Sequence, residues 1–472
     1  MSLIPRQKPL VPDAHSSNSS ELAILDVAEV PAPLRRRVLQ AYAIGDAGTG
    51  MASALIGFYL FVFYTSIAAL PAWVAGTVLM VVRLWDVLSD QLIGWLGDRT
   101  QGRLGPRIPW MLYCAFPLGI SMALMWWVPP WGDWLRFSWF VVISTLFMAA
   151  YSGVNLPYSA LATELTTNVR LRTRLNTARF TGSILASLLG LMLAALLTHQ
   201  GAKGYQLMGC VAGSVLVCGS LLSAIGLTPA ARYCRRPVAN HQSLLEQLAR
   251  IRRNGRFVRV VVFYLFVWSA LQLMQPVSLI YLSTVMHLPN LWSTWMLIPF
   301  QISAMLGLWI WNSVAATRGR IFALKVGGSF WIALCLVALL LPALNPLQGP
   351  FSSSGNSTKM VLLILAVLGL GSSASMAYLL PWALLPDAID ADAEHPAGLY
   401  TAWMMLVQKF GSALSVFVLG ALLSWSGYVA SLGFEQSVSA LWMVRLCMGL
   451  FPALMVIVGV WVMRSWPQAS KE

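Results

Sequence analysis

The sequence predicts an all-α, polytopic membrane protein with twelve transmembrane helices. Two observations are compositional: 58% of the 472 residues are hydrophobic and 10% are charged, where a soluble domain carries about 25% charged residues, and the mean hydropathy is +0.70. The third is that the apolar residues fall into twelve runs. Each is long enough to cross a hydrocarbon core of ~30 Å at 1.5 Å per residue. The first six cover roughly 41–66, 71–97, 108–129, 137–165, 175–198 and 206–229. After a polar stretch come roughly 257–283, 290–315, 323–344, 359–386, 398–426 and 438–465.

The loops justify the division and the orientation. There are 31 Lys and Arg against 17 Asp and Glu, a surplus of +14. Its distribution argues against nucleic acid as a partner, because the basic residues sit in particular loops between apolar runs. With both termini cytoplasmic, Arg136, Lys203 and Lys359 face outside and Arg83, Lys409 and Arg445 lie within spans; every other Lys and Arg falls inside. The expected organisation is a cytosolic tail (1–36), six spans (37–229), a cytosolic middle loop (230–256), six spans (257–466) and a short tail (467–472). The first tail mixes acids with bases and has no signal-peptide core,. In the middle loop, Leu244, Leu245, Leu248 and Ile251 share a face, with Arg250, Arg252 and Arg253 elsewhere. That pattern predicts an interfacial helix beside anionic lipid.

Enzyme chemistry has no foothold. The six cysteines form no CxxC pair and no Cys/His cluster, so neither a zinc site nor a disulfide framework is indicated,. No metal constellation, glycine-rich phosphate loop or nucleophile–base pair is present, and no cofactor is expected,.

The chemistry lies in the charges that enter the spans. A charged side chain at the centre of a spanning helix costs ~2.5–3.5 kcal/mol or more, yet the second span carries Arg83, Asp86 and Asp90. Asp86 and Asp90 share a helical face, with Arg83 one turn before Asp86,. Counted from the cytosolic ends of their spans, Asp86, Asn155 and Lys409 lie at a common depth of roughly 15–17 Å, with Asp90 a turn nearer the cytosol. Two carboxylates, a carboxamide and an ammonium make an exchange site for a monovalent cation: Na⁺, or a proton carried by the same carboxylates. The alternative is that the charges neutralise one another only to let the helices insert, Arg83 being a structural counter-charge. Asp46, near the inner end of the first span beside Gly45 and Gly48, is read as a cytosolic pivot in preference to a substrate contact. Gly182, Ala186 and Gly190 give small-residue spacing for helix packing,, and Arg445 snorkels outward.

The turn Gly94-Trp-Leu-Gly-Asp98-Arg99-Thr100, followed by Gly102, Arg103 and Arg107, resembles the loop between helices two and three of the major facilitator superfamily. Thr317-Arg318-Gly319-Arg320 is a degenerate echo in the second half. This implies two homologous six-helix bundles. Arg83-Leu-Trp85-Asp86 with Asp90, the run Pro157-Tyr158-Ser-Ala160-Leu161-Ala-Thr-Glu164-Leu165-Thr166, Gln408-Lys409-Phe410-Gly411-Ser412-Ala413, and the acidic Pro386-Asp387-Ala-Ile-Asp390-Ala-Asp392-Ala-Glu394 together resemble the glycoside–pentoside–hexuronide:cation symporter family. Its best-known member is the melibiose permease. The resemblance implies cation coupling at Asp86, Asp90, Asn155 and Lys409, and substrate contacts at Gly50, Arg83, Ser159 and Arg179. It departs where the permease has a galactoside-gripping Asp (here Gly50), a sugar-stacking Trp (Ser159) and a helix-four carboxylate (Asn155).

A cytosolic gate is expected from Asp98, Arg99, Arg103, Arg107, Glu164 and Arg172 in the first half against Asp387 and Asp390 in the second. Exposed pairs are worth ~0–1 kcal/mol each, which suits a reversible gate. The expected function is secondary active symport of a small organic solute, sugar or glycoside in type, with Na⁺ or H⁺ in the plasma (inner) membrane, by a functional monomer. The alternatives are a cation-coupled carrier of a lysolipid or other amphiphile, and a non-transporting sensor or scaffold.

Overall fold

The computed structural model describes residues 32–100, 104–165, 169–231, 244–345, 351, 354–392, 397–433 and 435–466. Every spanning segment among them is helical, as it must be where hydrocarbon offers no partner for backbone N–H and C=O groups. We label the spans α1–α12. In the first half, α1 covers 32–67, α2 Ala72–Arg99, α3 Ile108–Met125, α4 Asp133–Glu164, α5 Val169–Leu197 and α6 Ala202–Ala231. A connecting helix, Leu244–Arg253, leads to the second half. There α7 is Gly255–Val285, α8 Asn290–Arg318, α9 Arg320–Leu340, α10 Gly355–Ile389, α11 Gly398–Trp425 and α12 Val438–Ser465.

Eleven of the twelve are individually long and apolar enough to cross a membrane. The exception, α1, is broken at Asp46 and continues through π turns at Ile56–Leu60 and Phe63–Ile67. It also starts earlier than its apolar run, at Ala32, inside the stretch expected to be tail. Val38 and Tyr42 pull this basic first part onto the bundle, each buried to within 1%.

Glycines set the closest crossings. Gly182 and Gly190 of α5 lie against the backbone of Ala43 and Met51 in α1, so the small-residue spacing serves helix packing. Gly76 of α2 meets Gly420 of α11, where a Cβ on Gly76 would stand 2.9 Å from the Val416 carbonyl oxygen. The Trp73 amide donates to Ser424 Oγ at 2.8 Å in the same crossing. This joins the two halves at the end of the bundle opposite the termini.

The halves repeat an irregular detail. In α1 the turn Phe63–Ile67 is followed by Ala69 at φ 54° and by Pro71 at the start of α2. In α7 the turn Tyr281–Val285 is followed by His287 at φ 56° and by Pro289 at the start of α8. The hydrogen bonds correspond one for one: Ala68 N to Phe63 O and Leu70 N to Tyr64 O, against Met286 N to Tyr281 O and Leu288 N to Leu282 O. Parallel repeats of this kind relate the halves of a major facilitator bundle.

Candidate functional site

Where α2, α4 and α11 meet, the side chains expected to be costly in a membrane are together. Lys409 Nζ of α11 lies 2.9 Å from Asp86 Oδ2, pairs with Asp90 Oδ2, and donates to the Asp86 carbonyl at 3.3 Å. Asp86 is 5% exposed. Lys409 comes from the second half and the carboxylates from the first, so this ion cluster joins the halves near the middle of the bundle. Ser152 of α4 donates to Asp90 Oδ1 at 2.6 Å and reaches Asp86 Oδ1 at 3.5 Å. Ser89, also buried, is within 3.2 Å of Ser152 Oγ.

Asn155, one turn along α4 from Ser152, has a partner of its own: its Oδ1 accepts from Arg179 Nη2 at 3.2 Å. Equal depth fixes height along the bundle and leaves rotation about each helix free. Arg179 of α5 organises a second cluster: Nε pairs with Asp46 Oδ2 at 3.1 Å, Nη1 donates to Ser159 Oγ at 2.9 Å, and the guanidinium lies 5.0 Å from the Tyr158 ring centroid. Asp46 is therefore an ion-pair partner and not a bare pivot; Thr49 also donates to its Oδ1 at 2.5 Å. Tyr42 and Tyr158 stack with centroids 4.5 Å apart, each hydroxyl donating to the other residue's carbonyl.

Gly50 does not face this cluster. A Cβ there would stand 2.7 Å from the Ser183 carbonyl carbon, so Gly50 is a contact between α1 and α5. The carboxylate of this cluster lies one turn earlier on α1, at Asp46. Arg83 lines a cavity between the halves with Gln272 and Gln275 of α7. Behind Gln275 a second, apolar cavity is lined by Phe58, Phe300, Leu363 and Leu370. Near Lys409, Ser412 accepts from Trp268 Nε1 at 2.9 Å. Trp268 packs edge-on against Tyr378 at 5.0 Å, and Tyr378 is 44% exposed although it lies within α10.

The gate residues are distributed differently from expectation. Asp387 pairs with Arg320 at 2.7 Å, and Asp392 with Arg250 of the connecting helix through two 2.7 Å hydrogen bonds. Both acids thus have partners outside the first six spans, because α9 and the connecting helix lie beside their turn. Asp390 is exposed at the end of α10. Arg99 stacks on Trp95, 3.8 Å from the ring centroid, and Arg107 is buried with Nη1 beside Gly97. Arg103 and the side chains of Asp98, Glu164 and Arg172 lie outside the described residues. Arg445 does not snorkel; it donates to the Leu339 and Leu341 carbonyls at 3.0 and 2.9 Å and so caps α9,.

Two sites were missed by the sequence reading. Ser89 had a signal, since it lies on the face between Asp86 and Asp90. Ser152 had none, because a serine in a spanning helix can satisfy itself on its own backbone.

A twelve-helix bundle in two repeated halves, with a charged cluster between them at mid-depth, defines a membrane transporter of the major facilitator type. A family model described as MFS/sugar transport protein matches residues 41–467. The chain belongs to that family. It is 27% identical to an uncharacterized symporter of Synechocystis, over 89% of this chain and 92% of that protein. It is 22% identical to a sodium-dependent lysophosphatidylcholine symporter of Danio rerio, over 97% of this chain and 91% of that protein. The crystal structure of the D323A mutant of the nucleoside transporter NupG matches its fold with a TM-score of 0.66 at 13% identity, covering 91% of this chain and 100% of that one.

Proposed function

We propose that the protein is a symporter that binds a monovalent cation, Na⁺ or H⁺, at Asp86 and Asp90 and a small organic solute in the space between its halves. The observation that carries this is the position of Lys409, an ammonium of the second half held by both carboxylates of the first. A cation bound there competes with Lys409 for the same oxygens. Its arrival loosens the joint between the halves, and Ser152 offers a neutral oxygen beside both carboxylates. Binding that changes an inter-half contact is what alternating access needs.

The solute is sugar- or glycoside-like on this reading. Arg179, Asn155, Ser159 and Asp46 present donors and acceptors on the first half, and Trp268 and Tyr378 present ring faces and edges on the second. A second reading, an amphiphile, is favoured by the apolar cavity behind Gln275. The end carrying the termini is cytosolic, in keeping with the basic loops there; the membrane is the plasma (inner) membrane, and one chain suffices.

Asp86→Asn is the test. In liposomes, cation-gradient-driven accumulation falls to background, while solute exchange without a gradient persists at a reduced rate. Undiminished accumulation by this variant would sink the proposal.

A further inference from the structure

At the end of the bundle that carries the termini, exposed arginines gather without acids. The connecting helix ends in Arg252 and Arg253, α7 opens with Arg256, and the last turn of α12 holds Arg464. All of them are exposed, and among the described residues their guanidinium groups have no hydrogen bond and no carboxylate within 4.0 Å. Arg259, one turn after Arg256, donates from Nη1 to the Ser465 carbonyl at 3.1 Å. That bond brings together the two helix ends that carry Arg256 and Arg464. Other arginines at this end are neutralised: Arg250 pairs with Asp392 and Arg320 with Asp387. Basic residues flank spanning helices in general, but here three elements bring unpaired ones to one place. Their charges repel one another, and a bound anion offsets that repulsion.

The surface beside them says what kind of anion. On the connecting helix, Arg250 and Ile251 turn to the protein, Arg250 gripping Asp392 and Ile251 being buried. Leu248 and Arg252, four residues apart, share another face, and Leu248 is 39% exposed. At the end of α12, Trp461 is 59% exposed, with the Arg464 guanidinium 5.0 Å from its ring centroid. Leucine and tryptophan exposed beside arginine suit the boundary between headgroups and acyl chains. A free phosphate or a nucleic acid would meet the charges and leave the apolar side chains in water. A phospholipid meets both.

We propose that an anionic phospholipid binds where the connecting helix, α7 and α12 meet. Arg252, Arg253, Arg256 and Arg464 take its phosphate, and its acyl chains lie along Leu248 and Trp461. The sequence pattern puts the connecting helix alone beside anionic lipid; the ends of α7 and α12 turn that contact into a site. The site is also tied to the second half. Asn254 caps α7 by accepting from Phe257 N at 3.0 Å, and its Nδ2 donates to the Ala388 carbonyl at 2.7 Å and to Tyr400 Oη at 3.1 Å. Tyr400 in turn donates to Asp392 Oδ2 at 2.7 Å, on the carboxylate that Arg250 grips. A lipid held by Arg252 and Arg253 therefore clamps the connecting helix onto α10 and α11. The inference does not depend on which solute is carried.

The test uses the full-length protein in mixed micelles at fixed total lipid, with dioleoylphosphatidylglycerol replacing dioleoylphosphatidylcholine in steps. Native mass spectrometry counts retained lipid, and hydrogen exchange follows the amides of the connecting helix. Wild type retains phosphatidylglycerol about tenfold or more in preference to phosphatidylcholine, and exchange in the connecting helix slows about threefold or more. Each arginine near a lipid surface is worth about fivefold in affinity, so Arg256→Gln with Arg464→Gln weakens phosphatidylglycerol binding about tenfold or more. Arg256→Lys with Arg464→Lys keeps the charge and stays within about threefold of wild type. Arg318→Gln with Lys325→Gln removes the same charge from α8 and α9 at the same end, and costs less than about threefold. Melting in phosphatidylcholine alone, unchanged in the glutamine pair at α7 and α12, shows that its loss is not misfolding. The inference is overturned if phosphatidylcholine is retained as well as phosphatidylglycerol, or if the α8–α9 pair matters as much as the α7–α12 pair. Inorganic phosphate that binds as tightly, or exchange that ignores phosphatidylglycerol, overturns it equally.

Discussion

Lys409 sits where removal of one side chain changes the electrostatics of both halves. Its ammonium offsets two carboxylates that packing has taken largely out of water, with Asp86 the most buried of the three. Breaking such a cluster by deleting one partner leaves uncompensated charge. The fully buried cost is ~3–5 kcal/mol; because Lys409 and Asp90 keep partial access to water, Lys409→Ala is expected to cost about 2 kcal/mol. The added cation then replaces the lost ammonium. Thermal melts should show Lys409→Ala below wild type without Na⁺ at neutral pH, and a larger recovery on adding Na⁺ or acid than wild type shows. An equal shift in the two proteins would mean that Lys409 and the cation do not share the carboxylates. At this scale legibility followed cost. Asp86, Asp90 and Lys409 were visible because charge in a spanning helix demands a reason. Asn155 was legible by its depth, but its bond to Arg179 was not, since spacing gives depth and not the direction a side chain points. Asp46 was seen, yet its partner Arg179 lies on another helix, and nothing in local spacing joins them.

The elements carry their irregularities at matching places. Twelve spans and their order could be read from apolar runs, because hydrocarbon accepts no other backbone solution. The π turns of α1 and α7 and the residues that follow them could not be read so. Ala69 and His287 adopt positive φ, a conformation for which sequence usually signals glycine and which costs an L-residue ~1–2 kcal/mol. Tertiary contacts hold it: Arg136 Nη1 donates to the Ala68 carbonyl at 3.0 Å, and Leu344 N to the Met286 carbonyl at 3.3 Å. Ala69 is exposed, so a change there tests the backbone almost alone. Ala69→Gly should stabilise by about 0.5–1 kcal/mol, after allowing for the extra freedom of glycine in the unfolded chain. Ala69→Val should destabilise by more than that. Melting temperatures moving in the opposite order would show that this turn is not under strain.

The whole molecule is two repeated bundles joined at mid-depth by the Lys409 cluster and at the end opposite the termini by the α2–α11 crossing. The crossing depends on the absence of side chains at Gly76 and Gly420, and the Trp73 amide bonds Ser424 Oγ across it. On the symport reading, rocking of one half against the other opens this seam in every cycle. A covalent staple in the seam therefore separates binding from transport. With the native cysteines replaced, Trp73→Cys and Ser424→Cys should form a disulfide under oxidising conditions, since the Trp73 amide N lies 2.8 Å from the Ser424 side-chain Oγ,. Oxidised protein in liposomes should lose uptake and exchange by more than about tenfold, while Na⁺ or acid still shifts its melting temperature from the unstapled end. Dithiothreitol should restore transport, and each single cysteine variant should ignore the oxidant. Transport that continues with the disulfide formed would mean that α2 and α11 move as one body, and the moving joint would then have to be sought between α5 and α8.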